Sequence, residues 1–508
     1  MKKKLEHKLL LFWYFSFIAF IFVAISFRRA YWVQGFLLDT YEHIHASWLV
    51  SEGLIPYRDF HEHHNPLLWY LFAPITQLFY RNVYIIYVAR FIAVLGYLGT
   101  LYMTSVLARY YSKSKAGGLF AILFVLCIPS LWLDVQNLRP DIFMYISILA
   151  AVKYFFDYLD KHHIKYLCFS YFLWFIAFLF LQKAILVGIG FGLANLWLIY
   201  KKEIPWRDVA KACIAPLFIC FILLALLYHF NLLKDYYTWN FTFNMIIKNH
   251  YGNHSSGYLR YFPYAVVFTF LAVTLTYRYS NKGNTLFLMW LVSLLSSLDF
   301  APHPQYYFLN FILSAILLAS FFERYYTKHT LSVLIIFTLA LCYSFYKLQY
   351  VKPSKNIQSD ILMIDYVLKN TEPHDKLLNG WVSHNLFNPD TDYYWFGFHN
   401  TIILADLYTD RHFDYNEQIK KNKPKFLFIS EGNFDKLLFD NAQWLIERNA
   451  ALVRRAVHGD KTALSKINQI VSDYWQIDMD YIKKHYKLLD TYATTQLWQR
   501  IDNASGLD

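Results

Sequence analysis

The chain has 508 residues, 57% hydrophobic and 20% aromatic with only 17% charged, and its mean hydropathy is +0.25. So apolar a chain cannot hide its surface in one water-soluble core, which excludes a soluble globular protein and leaves an integral membrane protein. The formal net charge of +12 does not point to nucleic acid, because Met1 to Val351 holds 29 Lys and Arg against 15 acids while Lys352 to Asp508 holds 19 against 21.

Met1 to Lys8 carries four lysines ahead of the uncharged stretch Leu9 to Phe27, which reads as a retained first membrane helix rather than a cleaved signal peptide. Further spans are predicted at Val83 to Ala108, Ala116 to Leu133, Ile142 to Phe156, Tyr166 to Leu181, Ala184 to Tyr200, Ala212 to Tyr228, Tyr261 to Tyr277, Asn284 to Leu298, Tyr306 to Phe322 and Leu331 to Tyr346. That makes about eleven transmembrane helices. Leu67 to Tyr80 is apolar but short and contains Pro74, so it reads as an interfacial or re-entrant helix. With it left out, alternate loops collect seventeen Lys and Arg on one side, against about nine on the other. The N-terminus is therefore expected in the cytoplasm and the tail from Lys352 outside. In that tail, strand-like runs at Lys376 to Val382, Lys425 to Ser430 and Lys487 to Tyr492 alternate with helix-like runs at Ile357 to Asn370 and Ala463 to Tyr474, which predicts a small extracytoplasmic α/β domain. The expected division is a membrane module over 1–351, with an outer loop at 28–82, and an outer domain over 352–508. The five cysteines, Cys127, Cys168, Cys213, Cys220 and Cys342, all lie in apolar stretches and offer neither a disulfide framework nor a zinc cluster.

The outer loops hold the unusual chemistry. The first contains Asp39, Glu42, His43, His45, Glu52, Arg58, Asp59, His61, Glu62, His63 and His64; later ones contain Arg139 and Asp141, Gln182 and Lys183, and His303. Ionisable groups at a membrane boundary are costly unless they face water or a partner, so their clustering on one side marks a site. Asp39 follows the apolar run Gly35 to Leu38, where a desolvated carboxylate gains basicity; alternatively it caps a helix starting at Thr40. In Arg139-Pro140-Asp141, proline suits a first helical turn and Asp141 is stabilised by the positive helix end. No second set of spaced ligands follows the run His61-Glu62-His63-His64, apart from Glu42, His43 and His45 upstream, so anion binding by His64 or His303 is favoured over metal binding. Lys183, alone between two apolar helices, is either a phosphate ligand or a lysine snorkelling to the interface.

These residues, in this order and on one expected side, resemble the GT-C superfamily of polyprenyl-phosphate-dependent glycosyltransferases, in the branch of protein mannosyltransferases and aminoarabinose transferases. The resemblance covers essentially the whole chain. It is carried by Asp39-Thr40, an amphipathic juxtamembrane helix at Tyr41 to Ser51, Pro56-Tyr57-Arg58-Asp59-Phe60, His64-Asn65-Pro66-Leu67-Leu68 and Arg139-Pro140-Asp141. Looser matches follow at Gln182-Lys183, Pro304-Gln305-Tyr306-Tyr307-Phe308 and Lys423-Pro424-Lys425-Phe426. The chain departs from the pattern where Thr40 replaces a second acid, with Glu42 following, and where Asn65 stands in place of a lysine found in some relatives.

The resemblance implies an inverting transfer of a sugar from a polyprenyl phosphate to a hydroxyl of a lipid, glycan or protein acceptor, on the outer face of a bacterial cytoplasmic membrane. In it Asp39 would be the base and Asp141 would orient hydroxyls, Arg139, Lys183, His64 and His303 would hold phosphate, and Glu42 and Arg58 would complete the substrate pocket. It implies no cofactor and no nucleic-acid partner, and it needs no resident metal, with a divalent metal as the less favoured alternative. A transporter or flippase for a lipid-linked glycan is the rival, but it needs ionisable groups near mid-membrane, where only Arg90 and Lys153 fall. A glycan ligase or polymerase is a second rival, and would carry a large outer loop between late spans instead of a C-terminal domain.

Overall fold

The computed structural model describes residues 38–128, 136–245, 280–297, 304–350, 357–380, 384–393, 414–430, 478–492 and 495–501, with a few single positions besides. The chain divides into two compact units. The first joins Met1–Gln34, His63–Leu71 and Ile86–Ser354, and the second joins Gly35–Glu62, Phe72–Ile85 and Lys355–Asp508.

In chain order the helices are α1 (Leu38–Ser51), α2 (Leu67–Leu78), α3 (Ile85–Ser112), α4 (Lys115–Leu126), α5 (Pro140–Lys161), α6 (Ile164–Phe180), α7 (Ala184–Tyr200), α8 (Trp206–His229) and α9 (Leu233–Tyr237). A π-helical turn (Thr238–Phe243) follows, then α10 (Asn281–Ser297), α11 (Pro304–Lys328) and α12 (Thr330–Tyr350). Nine of the eleven stretches read as spans coincide with these helices; Leu9 to Phe27 and Tyr261 to Tyr277 lie outside the described residues except for single positions. Among the described residues α3, α5 and α8 are long and apolar enough to cross a membrane, and α4, α6, α7 and parts of α11 and α12 are shorter apolar helices. The twelve residues of α2 rise about 18 Å, well short of a hydrocarbon core of about 30 Å.

Within the first unit α5 packs on α6, α6 on α8, α7 on α10, and α11 on α4, α10 and α12. Gly190 allows α7 and α10 to touch backbone to backbone, because a Cβ there would stand 2.7 Å from the Cα of Met289. Helix α5 begins with Pro140, whose missing N–H is one of those that a first turn leaves unbonded anyway.

The second unit contains α13 (Ile357–Lys369), α14 (Tyr415–Asn422), α15 (Met479–His485) and strands β1 (Leu377–Gly380), β2 (Phe426–Ser430), β3 (Tyr486–Tyr492) and β4 (Thr495–Arg500). The sheet order is β1-β2-β4-β3, with β1 parallel to β2 and the other pairs antiparallel. Met363 and Val367 of α13 close a core with Leu377, Phe426, Phe428 and Leu497 of the sheet. Three strands fall on the predicted runs, β4 was not foreseen, and most of Ala463 to Tyr474 lies outside the described residues. Just ahead of β1, burial raises the Asp375 carboxyl, but the Lys425 ammonium 2.8 Å away, just ahead of β2, and the Glu372 N–H outweigh it, holding the group below its usual range.

One expectation changes in this unit. The helix expected to be amphipathic over Tyr41 to Ser51 is buried all round from Thr40 to Leu49, although Thr40, Glu42, His43, His45 and Ser47 are polar. Helix α1 therefore needs polar partners, and the tail supplies them. The Tyr41 hydroxyl donates to Asp360 Oδ2 at 3.4 Å, and His45 Nε2 lies 2.7 Å from Asp390 Oδ2, which makes the imidazole the donor. Arg81 binds the end of α13: its guanidinium donates to the carbonyls of Leu368 and Thr371 and to the Thr371 hydroxyl, satisfying acceptors that a helix C-terminus leaves open. Arg81→Ala is expected to lower the stability of the second unit by about 1.5–3 kcal/mol, the range for hydrogen bonds to a charged group, and Arg81→Lys to restore only part because lysine lacks the fork. Denaturation followed by protease resistance of the C-terminal segment checks this.

Candidate functional site

The sequence-singled residues fall into two groups, one in each unit. In the second unit α1 begins at Leu38, so Asp39 lies inside the first turn rather than ahead of it, half-buried, where the positive helix end favours its carboxylate. One turn on, Glu42 and His43 are buried, as is Glu62 in the loop that follows. The Glu42 carboxylate lies within 4.8 Å of the His43 ring and within 4.8 Å of the Glu62 carboxylate. Two buried carboxylates that close do not both stay charged unless a proton or a cation sits with them. In this unit Glu42, with His43 or Glu62, has the donor set for either.

The segment Pro56-Tyr57-Arg58-Asp59-Phe60 is a tight turn closed from inside. Asp59 Oδ2 accepts from the Ile55 N–H at 2.8 Å, Tyr57 takes a left-handed φ of 70°, and its N–H donates to the Phe60 carbonyl at 3.0 Å. Arg58 is exposed and lays its fork on Asp59, with Nε and Nη2 at 2.8 and 2.7 Å. The turn is fastened to the tail, since Tyr393 donates its hydroxyl to the Tyr57 carbonyl and accepts from the His61 N–H on its own carbonyl. Asp390 is held in turn by Asn385 Nδ2 at 2.9 Å, and His384 Nε2 stands 3.5 Å from Asp360 Oδ1.

In the first unit the short segment that carries His63, His64 and Asn65 is pinned from several directions. The His63 carbonyl accepts from Gln182 Nε2 at 2.9 Å and from Asn244 Nδ2 at 2.8 Å. Asn65 is buried; its Nδ2 donates to the Phe178 carbonyl and its Oδ1 accepts from the Tyr236 hydroxyl at 2.9 Å. The residue before His64 is thus bonded to the residue before Lys183, which brings the turn between α6 and α7 up to the histidines. The Trp239 and Phe243 rings and Asn240 fill the π-helical turn beside them, and Gln182 Nε2 also donates to the Asn240 carbonyl at 3.2 Å. Gln182 Oε1 and Asn240 Oδ1 are buried acceptors with no hydrogen-bond donor among the described residues.

Arg139 and Asp141 form one pair at the start of α5, Nε to Oδ2 at 3.1 Å, with side chains 12% and 6% exposed. The other oxygen, Asp141 Oδ1, is buried and accepts nothing among the described residues. A carboxylate with one oxygen fixed by an arginine and the other open is built to accept a hydroxyl proton donor. His303 lies outside the described residues. Sequence reasoning did not single out Asn240, Asn244 and Tyr236 in the first unit, or Asp360, His384 and Asp390 in the second; the only local cue was a polar amide inside an otherwise aromatic stretch at Tyr236 to Phe243.

A bundle of apolar helices, with a C-terminal α/β unit to which part of the first loop belongs, is a fold that recurs in solved structures. Two crystal structures of the aminoarabinose transferase ArnT from Cupriavidus metallidurans share it along nearly the whole chain. The one bound to undecaprenyl phosphate aligns with a TM-score of 0.56 and the apo form with 0.54, each at 10% identity, covering 96% of this chain and 99% of that one. The archaeal oligosaccharyltransferase AglB from Archaeoglobus fulgidus, in complex with an inhibitory peptide and a dolichol phosphate, aligns with a TM-score of 0.48 at 13% identity over 82% of this chain and 69% of its own. No family model and no curated protein sequence matches the chain.

The pinning of the histidine segment is testable without substrate. Asn65→Ala removes a buried donor and acceptor at once and is expected to cost about 2–4 kcal/mol, with Asn65→Asp, which keeps the acceptor for Tyr236, falling between it and the wild type. Thermal denaturation of the purified variants reads both; an Asn65→Ala protein as stable as the wild type would show that the segment is held by other contacts.

Proposed function

We propose that the chain is an inverting glycosyltransferase that moves a hexosyl- or pentosyl-type sugar from a polyprenyl-phosphate donor to a hydroxyl of a lipid, glycan or protein acceptor on the outer face of a bacterial cytoplasmic membrane. The observation that carries this reading is the likeness along almost the whole chain to ArnT, crystallised with undecaprenyl phosphate. The reading includes about eleven crossings with the N-terminus in the cytoplasm, a membrane module over 1–351 and an outer domain over 352–508.

In this reading Asp39 takes the proton of the acceptor hydroxyl as its oxygen attacks the anomeric carbon. The carbon–oxygen bond to phosphate breaks with its electron pair going to the phosphate, and a diester with one negative charge becomes a monoester with two. Cations are needed where that second charge appears. Lys183 and His64, whose preceding residues are hydrogen-bonded to each other, together with Arg139 and His303, supply them. Asp141 Oδ1 orients a hydroxyl of acceptor or sugar, and Glu42 and Arg58 complete the substrate pocket. A monophosphate leaving group so flanked calls for no resident metal.

The test is Asp39→Asn. It keeps the size and polarity of the side chain in the first turn of α1 but removes proton acceptance, so turnover is expected to fall by roughly 10²- to 10⁴-fold while the protein still accumulates in membranes. The measurement is release of undecaprenyl phosphate from a panel of undecaprenyl-phosphate sugars by protein in nanodiscs with a membrane glycolipid extract as acceptor. Near-normal release by the variant would remove Asp39 from the chemistry, and no release by the wild type with any donor would remove the reading.

A further inference from the structure

In the first unit, the last turn of α3 and the start of α4 line an open cavity of about 380 Å³ formed by Val106, Arg109, Tyr110, Lys113, Ser114 and Lys115. Helices α3 and α5 run side by side in the same direction: Gly96 faces Ile142, Gly99 faces Ile146, and the Tyr110 hydroxyl donates to Asp157 Oδ1 at 2.6 Å. Asp157 is sixteen residues after Asp141 on α5, about 24 Å along the axis, so the cavity lies at the other end of the bundle from the Arg139–Asp141 pair.

We propose that this cavity binds an anionic phospholipid, with the headgroup phosphate between Arg109, Lys113 and Lys115 and the acyl chains along α3. Charge is the first reason. The nearby acids already have cations of their own: Asp157 is paired with Lys153 and Lys161, and Asp160 with Lys282 at 2.6 Å. Arg109, Lys113 and Lys115 have no ion pair or hydrogen bond from their side chains among the described residues, so three positive charges converge on one small space. Their summed positive potential attracts an anion, and a phosphodiester supplies a fixed negative charge with several acceptor oxygens.

Placement is the second reason. Gly118, in the first turn of α4, lies so close to α3 that a Cβ would stand 2.6 Å from Arg109 Cγ and 2.8 Å from the Ser105 carbonyl. The Arg109 stem therefore runs over the beginning of α4, whose N-terminal end also favours an anion. Ser114 caps that end by accepting from the Ala116 N–H at 3.1 Å.

The third reason separates a lipid from a free phosphate ion. Phe91, Leu95 and Tyr102 of α3 are exposed, at 47%, 49% and 66%. At 100° per residue they share one helix face with Val106 and Arg109, an apolar track of about 27 Å that ends at the cationic cavity. A free ion has no use for such a track, whereas acyl chains attached to a bound phosphate would cover it.

The proposal is independent of the glycosyl-transfer reading and is tested by native mass spectrometry of the full-length protein in detergent, titrated with phosphatidylglycerol or phosphatidylcholine. The wild type is expected to prefer phosphatidylglycerol at least tenfold, each of Arg109→Gln, Lys113→Gln and Lys115→Gln to lower the preference by up to roughly fivefold, and the triple variant to lose it. A control with Lys201→Gln, Lys202→Gln and Arg207→Gln removes equal charge at the same end of the bundle and is expected to keep the preference. Equal loss in the control would reduce the effect to the general basic surface and overturn the site. Displacement of the lipid by millimolar inorganic phosphate would make it an ion site and overturn the lipid. If the triple variant does not fold, Lys115→Gln alone, at an exposed position, gives the same reading, with unchanged preference counting against the proposal.

Discussion

A fourteen-residue helix that is buried on every side yet carries two histidines and a glutamate in its interior cannot be placed by the hydrophobic effect alone. Its burial depends on partners, and in α1 two of them lie more than three hundred residues away: Asp360 for Tyr41 and Asp390 for His45. Tyr41 and His45 are four apart and so share one face, which is the face the tail holds. Asp39 and Glu42 sit on the same short rigid body, so whatever fixes the face fixes them. The C-terminal segment thereby bears on the position of the proposed base.

The same principle governs the first unit on a smaller scale. Chain that is neither helix nor strand must bond its buried peptide groups to something. In the stretch His63 to Asn65 the His63 carbonyl is bonded by the side-chain amides of Gln182 and Asn244, and the Asn65 amide donates in turn to the Phe178 carbonyl of α6. Asparagine serves here because it donates and accepts at once, which a lysine at that position would not do. The departure at Asn65 from the pattern of some relatives thus has a structural reason in this chain, and it leaves Lys183 and His64 as the proposed phosphate contacts next to it.

Much of the fold was legible because apolar runs and their lengths are local signals. The helices at Ala184–Tyr200 and Trp206–His229, and the strands at Leu377–Gly380 and Phe426–Ser430, follow directly from composition and spacing. The partner of Asp141 was legible too, since Arg139 lies two residues away across a proline that starts the helix. The polar fastening of α1 was not legible. Asp360 sits in an amphipathic stripe with Ile357, Met363, Ile364 and Val367, where periodicity marks it only as an oddity, and Asp390 lies in an irregular stretch with no periodicity at all. Nothing in the neighbourhood of either residue names a helix three hundred positions upstream. Strand β4 escaped for a different reason: Thr495 to Arg500 holds only two apolar residues, Leu497 and Trp498, side by side between polar ones, so it has no period-two alternation to read.

The most direct measurement of this central constraint is hydrogen–deuterium exchange of the amides of Leu38–Ser51 in the full-length protein. With Asp360→Ala and Asp390→Ala combined, two buried side-chain hydrogen bonds to α1 are lost. Exchange across the helix is expected to speed up by roughly 10- to 100-fold, while that of α7, in the other unit, stays as it was. Unchanged protection of Leu38–Ser51 would mean that the tail does not hold the helix, and the link between the C-terminal segment and the proposed base would fall with it.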